Sequence, residues 1–533
     1  ETVKILRAAQ AQGRDAIAAA FAAAPFDAAA MTASYTYLTD GMVKSVLMVT
    51  TRYLHPTPKN AAALSVIGVG GYGRGEMAPF SDVDLLFLLP AKITPWASMV
   101  IEAMLYLLWD LKLKVGHSSR TIRDCVQLAR EDYTIQTALL EHRFVCGDRA
   151  LAEQLDETLT RELFSGSGHE FIEAKLAERD SRHLKQGQRY VVEPNVKEGK
   201  GGLRDLQSLF WIAKYIHGVQ HSADLVEKGV FRADEYETFK AAENFLWAVR
   251  GHLHLLTKRA TEQLTFDMQV SVAEAMNYED QSGRRAVEVF MQAYFRHATA
   301  VGDLTRIFLT KLEDMHVKSE PLLERLFRRR PKIKDGYVVV HNRIDIADTN
   351  AFLKRPLNLL NVYEEALRTG MLIHPDAMRT VKANLHLIDD EVRNSPEAQR
   401  IFLDLLLKHG NPERALRRMN ELGVLSAFIP EFEPIVAMMQ FNMYHSYTVD
   451  EHTIQTIANL AMIEKGELEE ELPVASSILK RGVNRRVLYV ALLLHDIGKG
   501  RPEDHSILGA QIVRKVAPRL GLKQDEVDTV EWL

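Results

Sequence analysis

Two aspartates separated by one residue follow a glycine-rich segment in the N-terminal third of the chain. The segment from Gly70 to Asp84 reads GGYGRGEMAPFSDVD and continues into an apolar run. The length of that run predicts a buried β-strand, and residues i and i+2 of a strand share a face. We therefore expect Asp82 and Asp84 to lie side by side. Such a carboxylate pair is suited to holding Mg²⁺ against the phosphates of a nucleotide.

Other residues of this segment are candidate nucleotide ligands. Gly70 and Gly71 lack a Cβ, so their backbone N–H groups can approach phosphate oxygens closely. The Arg74 guanidinium is suited to a bidentate phosphate contact, and Ser81 is a further candidate. The pattern favours a nucleotidyltransferase.

A dinucleotide-binding protein is the alternative, because Gly68 to Gly73 also match G-x-G-x-x-G after an apolar strand. Two features oppose it. The acids follow the glycines too soon for a crossover helix and a second strand. Pro79 also lies where that helix would run.

A second group of candidate ligands lies near the end of the sequence. His452 falls in a predicted helix start, His495-Asp496 ends an apolar helix, and His505 follows; His445 is less certain. Imidazole and carboxylate ligands together suit a divalent metal centre that activates water for hydrolysis. Each histidine taken singly is more often structural, so the surrounding sequence decides.

The chain resembles known families at these places. Residues 70–89 resemble the polymerase-β-type nucleotidyltransferases. With residues 115–120, 139–143 and 193–207, they resemble the bifunctional uridylyltransferase/uridylyl-removing enzymes of bacterial nitrogen control. The stretch LLHDIGK, with a histidine-bearing helix on either side, resembles the HD phosphohydrolase superfamily.

The resemblance to the uridylyltransferase/uridylyl-removing enzymes implies transfer of UMP from UTP to a tyrosine of the PII signal protein. Asp82 and Asp84 would hold catalytic Mg²⁺, and Gly70 and Gly71 would hold the UTP phosphates. A third carboxylate usually completes such sites, with three open candidates. These are Asp110, Asp132 and Glu141.

The resemblance to the HD superfamily implies hydrolytic removal of UMP with a divalent metal, Mg²⁺ or Mn²⁺. His452, His495 and Asp496 match the first metal ligands, and His505 matches a position that serves a second metal or phosphate. Lys499 often lies near substrate phosphate in this superfamily. Another nucleotide with another target, and a catalytically silent scaffold, remain alternatives.

The periodicities predict an α+β, mostly helical chain. We expect a nucleotidyltransferase domain over residues 1–165 and an associated helical domain over 166–330. A mixed, largely helical linker region follows over 331–430, and an all-α HD domain over 431–533. Residues 130–165 are predicted to be helical. Lys197, Lys200 and Arg204 either contact phosphate or are solvated loop charges.

Composition restricts the class of protein. The 533 residues are 47% hydrophobic with a formal net charge of −5, which favours neither nucleic-acid nor membrane partners. Only two cysteines occur, which favours the cytoplasm. The sequence begins without Met, and we expect a piece of a longer protein. The family resemblance implies C-terminal ACT domains that sense glutamine and that this chain lacks, so we expect a blunted glutamine response. The HD resemblance implies a final aspartate ligand beyond Trp532, so we expect an incomplete HD site.

Overall fold

The structure is a computed structural model that describes residues 1–164, 168–186, 191–219, 221–316, 332–441 and 447–533. His445 lies outside the described residues. Contacts divide the chain into two compact units. Unit 1 comprises residues 1–189, 193–277 and 300–305, and unit 2 comprises residues 190–192, 278–299 and 306–533.

The sheet of unit 1 has four strands in the order β3-β2-β1-β4. The strands are β1 (Ser65–Gly68), β2 (Val83–Leu89), β3 (Val115–Thr121) and β4 (Arg143–Gly147). β2 pairs in parallel with β3 and antiparallel with β1, which also pairs antiparallel with β4. The apolar run after the aspartates is therefore a central strand, as predicted, and almost all of it is buried.

The structure contradicts one expectation and one alternative. Residues 143–147 form β4, although the sequence predicted helix throughout 130–165. The dinucleotide alternative needs parallel strands joined by a crossover helix. Because β1 and β2 are antiparallel, that alternative is excluded.

Seven α-helices lie within the described residues 1–164, and most of them pack on the sheet. They are α1 (Thr2–Ala23), α2 (Ala28–Val49), α3 (Gly70–Arg74), α4 (Pro95–Asp110), α5 (Ile122–Glu131), α6 (Tyr133–Leu140) and α7 (Arg149–Glu162), with a π-helical turn over Thr50–Leu54. The helices that follow are α8 (His169–Gln186), α9 (Leu203–His217), α10 (Asp224–Glu227), α11 (Ala233–Thr257), α12 (Phe266–Ala275) and α13 (Ala286–His316).

Unit 2 contains a small sheet in the order β5-β6-β7, formed by β5 (Tyr337–Val340), β6 (Arg343–Ile346) and β7 (Leu372–Ile373). Two short apolar segments on either side of His341-Asn342 predict a hairpin over residues 337–346. It is present: β5 and β6 are antiparallel, and His341 and Asn342 between them both have positive φ. Two positive φ values match the two-residue turn that suits the twist of a hairpin.

Helices make up most of unit 2. They are α14 (Thr349–Leu353), α15 (Asn358–Thr369), α16 (Pro375–Ala383), α17 (Asp390–Asn394), α18 (Pro396–Leu407), α19 (Pro412–Glu421), α20 (Val424–Phe428), α21 (Val449–Lys465), α22 (Pro473–Lys480), α23 (Arg485–Leu494), α24 (His505–Arg519) and α25 (Gln524–Trp532), with 3₁₀ turns at Leu385–Leu387 and Pro430–Ile435. The mostly helical α+β class is confirmed. In the described part of the chain, no helix combines the length and apolarity needed to cross a bilayer.

Candidate active sites

Asp82 and Asp84 line the same cavity, of about 420 Å³, in unit 1. Asp84 is the second residue of β2, and Asp82 immediately precedes that strand. The Asp82 carboxylate accepts a hydrogen bond from Lys114 at 3.0 Å, in a largely exposed ion pair. Gly70, Gly71, Arg74 and Ser81 line this cavity too. The structure therefore brings all six predicted transferase residues together.

Glycines on two sides give the Asp84 carboxylate its room. Gly116 faces Asp84 across the parallel pair β2–β3, and a Cβ there would lie 2.4 Å from Asp84 Oδ1. A Cβ on Gly70, whose φ is +59°, would lie 3.4 Å from Oδ2. Burial, and then the charge of Asp82, raises the pKa of Asp84. Both causes make a nearby cation favourable for the ionised carboxylate.

Arg74 is held by two carboxylates of the protein. Its guanidinium donates to Glu76 at 2.7 Å and to Glu141, and the Arg74 and Glu141 side chains are both buried. Ser81 Oγ accepts a hydrogen bond from the Ala78 N–H at 2.9 Å, which stabilises the turn before Asp82. The phosphate-binding roles predicted for Arg74 and Ser81 remain predictions.

The three candidates for a third carboxylate differ in location. Glu141 lines the cavity, whereas Asp132 caps α6 by accepting from the Thr134 N–H at 2.6 Å. Asp110 is an exposed residue at the end of α4. Neither Asp82 nor Asp84 belongs to a group of three ligand atoms within 4.8 Å of one another in the described residues.

A hydrogen-bond network fixes the glycine turn on the sheet. The buried Tyr72 hydroxyl donates to Asp40 at 2.7 Å, and Arg143 donates to the same carboxylate at 2.8 and 3.0 Å. Arg143 also donates to the backbone carbonyls of Tyr72 and Gly73, both at 3.2 Å. This network orients α3, although nothing in the local pattern of the sequence indicated it.

Cationic side chains from distant parts of the sequence complete the cavity. They are Lys175, Lys197, Arg204 and Arg250. Arg250 pairs with Glu262 at 2.8 Å, Arg204 with Glu198 at 3.1 Å, and Lys175 with Glu178 at 2.7 Å. The sequence marked Lys197, Lys200 and Arg204 as possible phosphate contacts; Lys197 and Arg204 line the cavity, and the exposed Lys200 does not. It gave no sign of Lys175 or Arg250. Those two lie on long helices without a recognisable motif.

The second candidate site lies in unit 2. Ligand atoms of His452, His495 and Asp496 all lie within 4.8 Å of one another. His452 is near the start of α21, and His495 directly follows α23. His495 Nδ1 lies 2.7 Å from the Leu492 carbonyl oxygen, which suits Nδ1–H as the donor and leaves Nε2 facing Asp496 at 3.3 Å.

Charge stabilises the ionised form of Asp496. Burial alone would raise the pKa of Asp496, but hydrogen bonds and charges of His495 and Lys499 outweigh it and lower the pKa. Lys499 Nζ lies 2.9 Å from the Asp496 carboxylate. His505 is the exposed first residue of α24 and is not among the three grouped ligands. Its role as a ligand remains a prediction.

The donor atoms of both sites suit divalent cations. The two aspartate carboxylates beside the cavity match the oxygen preference of Mg²⁺. Two imidazoles and a carboxylate suit Mn²⁺ and other borderline ions as well. The two sites lie on different units of the chain.

A second three-residue group in unit 2 makes several contacts with protein atoms. Asp345, His374 and Asp376 also have ligand atoms within 4.8 Å. His374 Nδ1, however, accepts from the Asp376 N–H at 3.3 Å as the cap of α16. Arg379 pairs with Asp376 at 2.8 Å. These contacts give the group a structural role.

Three family models match the chain. Residues 170–309 match the GlnD PII-uridylyltransferase family, residues 337–428 match the uridylyltransferase GlnD third domain, and residues 449–533 match the HD domain. The family predicted from the sequence is confirmed. The HD match includes the candidate ligands His452, His495 and Asp496, and also His505.

Curated relatives match all or nearly all of the chain. A bifunctional uridylyltransferase/uridylyl-removing enzyme of Ruegeria pomeroyi is 71% identical over 533 residues, which is 100% of this chain and 59% of the relative. The enzyme of the same name from Cereibacter sphaeroides is 64% identical, over 100% of this chain and 57% of the relative. The one from Azospirillum brasilense is 49% identical, over 93% of this chain and 54% of the relative. The chain thus belongs to this family and spans somewhat more than half the length of these relatives.

Proposed function

We propose that the chain transfers UMP from UTP to a tyrosine of a PII signal protein and removes it again by hydrolysis. One observation carries the transferase half. Asp82, Asp84, Gly70 and Gly71 line a single cavity, which six basic side chains also line. Uracil and the PII partner come from the names of the matching family and of the relatives, which are similar over the full chain.

In the transferase site, Mg²⁺ would be held by Asp82 and Asp84, where it would neutralise phosphate charge. The chain's own groups position the nucleotide around that pair. The glycine turn leaves backbone space for phosphate oxygens, and Gly116 leaves space for the Asp84 carboxylate. Such fixed positioning is the largest contribution a protein makes to phosphoryl-type transfer.

Removal of UMP is proposed for the HD site. His452, His495 and Asp496 would hold a divalent ion, Mg²⁺ or Mn²⁺, that increases the acidity of water. Lys499 lies beside Asp496, where its ammonium can also contact a phosphodiester oxygen. His505 is proposed as a further ligand or phosphate contact.

The two activities oppose each other, so together they would only consume UTP. A regulator must therefore favour one at a time, and glutamine is the effector that the family resemblance implies. The two cysteines, Cys125 and Cys146, are both free, which agrees with the cytoplasm as the proposed location.

The test separates the two sites within one chain. Wild type, Asp82→Asn with Asp84→Asn, and His495→Asn with Asp496→Asn are each incubated with Mg²⁺, PII and each of four labelled NTPs to measure labelling. In a separate reaction each is incubated with PII that already carries labelled UMP, to measure removal. We expect the aspartate variant to lose labelling and keep removal, and the HD variant to show the reverse. Labelling that survives in the aspartate variant, or equal labelling by all four NTPs, contradicts the proposal.

A further inference from the structure

The cavity around Asp82 and Asp84 contains as many cations as carboxylates. Six basic and six acidic side chains line it. The basic residues other than Lys197 have a carboxylate oxygen within 3.1 Å: Arg74, Lys114, Lys175, Arg204 and Arg250. For Lys197, the nearest carboxylate is that of Glu198, at 3.8 Å, which is beyond hydrogen-bond range.

The Lys197 ammonium lies near the reacting centre. It is close enough to Asp84 to influence the ionisation of that carboxylate. Burial disfavours its charge most, Arg250 and Arg204 repel it, and Glu262 and Glu198 attract it. An arriving anion would stabilise such a mostly buried ammonium further.

The loop that carries Lys197 is held rigidly. Asn195 Oδ1 accepts from the N–H groups of Lys197, at 3.1 Å, and Glu198, at 2.7 Å. The Lys197 carbonyl accepts from the Arg204 N–H at 2.9 Å. A Cβ on Gly199 would lie 2.4 Å from the Asn195 carbonyl oxygen, so the tight turn requires glycine there.

Further contacts tie this loop to the cavity wall. The buried Val196 donates its N–H to the backbone carbonyl of Glu262 at 2.9 Å, and the Glu262 carboxylate is the partner of Arg250. Gly202 packs against Val196 so closely that a Cβ on Gly202 would lie 2.6 Å from the Val196 carbonyl oxygen. Ordering a loop costs about 1–2 kcal/mol per residue in backbone entropy. This order positions the backbone of Lys197 at the cavity before any ligand binds.

We propose that Lys197 binds the β- and γ-phosphates of the nucleotide and stabilises the pyrophosphate as it leaves. The inference rests on the proposed transferase function. In that reaction the acceptor oxygen bonds to the α-phosphorus, and the bond from that phosphorus to the bridging oxygen breaks. The electron pair stays on pyrophosphate, and the hydroxyl proton passes to water. The three N–H groups of Lys197 meet the negative charge that develops on the leaving group.

The test measures binding of pyrophosphate with Mg²⁺ by calorimetry, without any acceptor protein. We compare wild type with Lys197→Met, Lys197→Arg and Lys200→Met, an exposed lysine on the same loop that does not line the cavity. We expect at least a tenfold loss of affinity for Lys197→Met, recovery of most of it in Lys197→Arg, and no change for Lys200→Met. In UMP transfer, Lys197→Met should lower kcat by about 100-fold with a smaller change in KM for UTP.

The pyrophosphate affinities and the transfer rates test two separate claims. Equal pyrophosphate affinity in wild type and Lys197→Met, or no binding by wild type, overturns the role of Lys197. A wild type that binds pyrophosphate through Lys197 but transfers no UMP supports the anion site and contradicts the proposed transferase function alone.

Discussion

Replacing Gly116 by alanine tests whether the position of the Asp84 carboxylate controls transfer. Gly116 is in β3, opposite Asp84, and its own backbone needs no glycine-specific φ. An added Cβ would lie 2.4 Å from Asp84 Oδ1, whereas ordinary contact begins at 3.4 Å. The carboxylate must therefore move by about 1 Å, the difference between these two distances.

The expected effect is large on activity and small on stability. A displacement of about 1 Å in a reacting group costs roughly 100-fold in rate, equivalent to about 2.7 kcal/mol. The atom that clashes is the end of a rotatable side chain, so the fold is hardly strained. Alanine in a strand also loses less backbone entropy on folding than glycine does. We expect UMP transfer to fall by about 100-fold while the urea midpoint is maintained.

The assay is initial-rate labelling of PII with UTP, alongside removal of UMP as an internal control. Gly41→Ala is the matched variant, because a Cβ on that α2 glycine meets no atom within 4 Å. It should keep full transfer and gain about 0.5–1 kcal/mol of stability. Wild-type transfer by Gly116→Ala would refute the link between this carboxylate position and the reaction.

Two further predictions concern stability. Glu141→Gln removes one of the two carboxylates of the buried Arg74 and should cost about 2 kcal/mol in urea unfolding, less than a fully orphaned buried charge because Glu76 remains. The exposed pair Arg130–Glu162 is the control, and Glu162→Gln should cost less than about 0.5 kcal/mol; equal costs would contradict the argument. In unit 2, burial alone would raise the pKa of Glu431, but hydrogen bonds from Arg519 and Lys515 lower it to about 2. Because the folded pKa is below the unfolded value, this stabilisation is present above the unfolded pKa and is lost as pH falls toward 2. The stability gap between wild type and Glu431→Gln should therefore be widest near neutral pH and shrink in acid, and a gap independent of pH would exclude the ion pairs as its source.

Local sequence predicted the parts of the fold that depend on local pattern. The apolar run after Asp82 had the length and composition of a buried strand, and it forms β2. His341-Asn342 between two apolar segments predicted the β5–β6 hairpin. β4 was missed because its five residues lie between two helices. Its strand character comes from pairing with β1, a contact distant in sequence.

The candidate transferase site shows the same limit. Its aspartates and glycines lie close together in the sequence, so spacing alone grouped them. Lys175 and Arg250 come from α8 and α11, and only the tertiary structure brings them to the cavity. In unit 2, the candidate ligand His452 is distant in sequence from His495 and Asp496. The resemblance to the HD superfamily nevertheless grouped these three residues, and their ligand atoms lie within 4.8 Å of one another.

The location of these cations bears on what residues 166–277 do. The segment that matches the PII-uridylyltransferase family model contributes charged residues to the cavity of the two aspartates. They include the cations Lys175, Lys197, Arg204 and Arg250, and also Glu262. The strand pair alone supplies carboxylates and a glycine turn, with Arg74 and Lys114 already paired to acids. A polyphosphate needs positive charge that is not already paired, and among the described residues of this cavity it comes from Lys197, in the loop before α9. The helical region therefore forms part of the proposed transferase site itself.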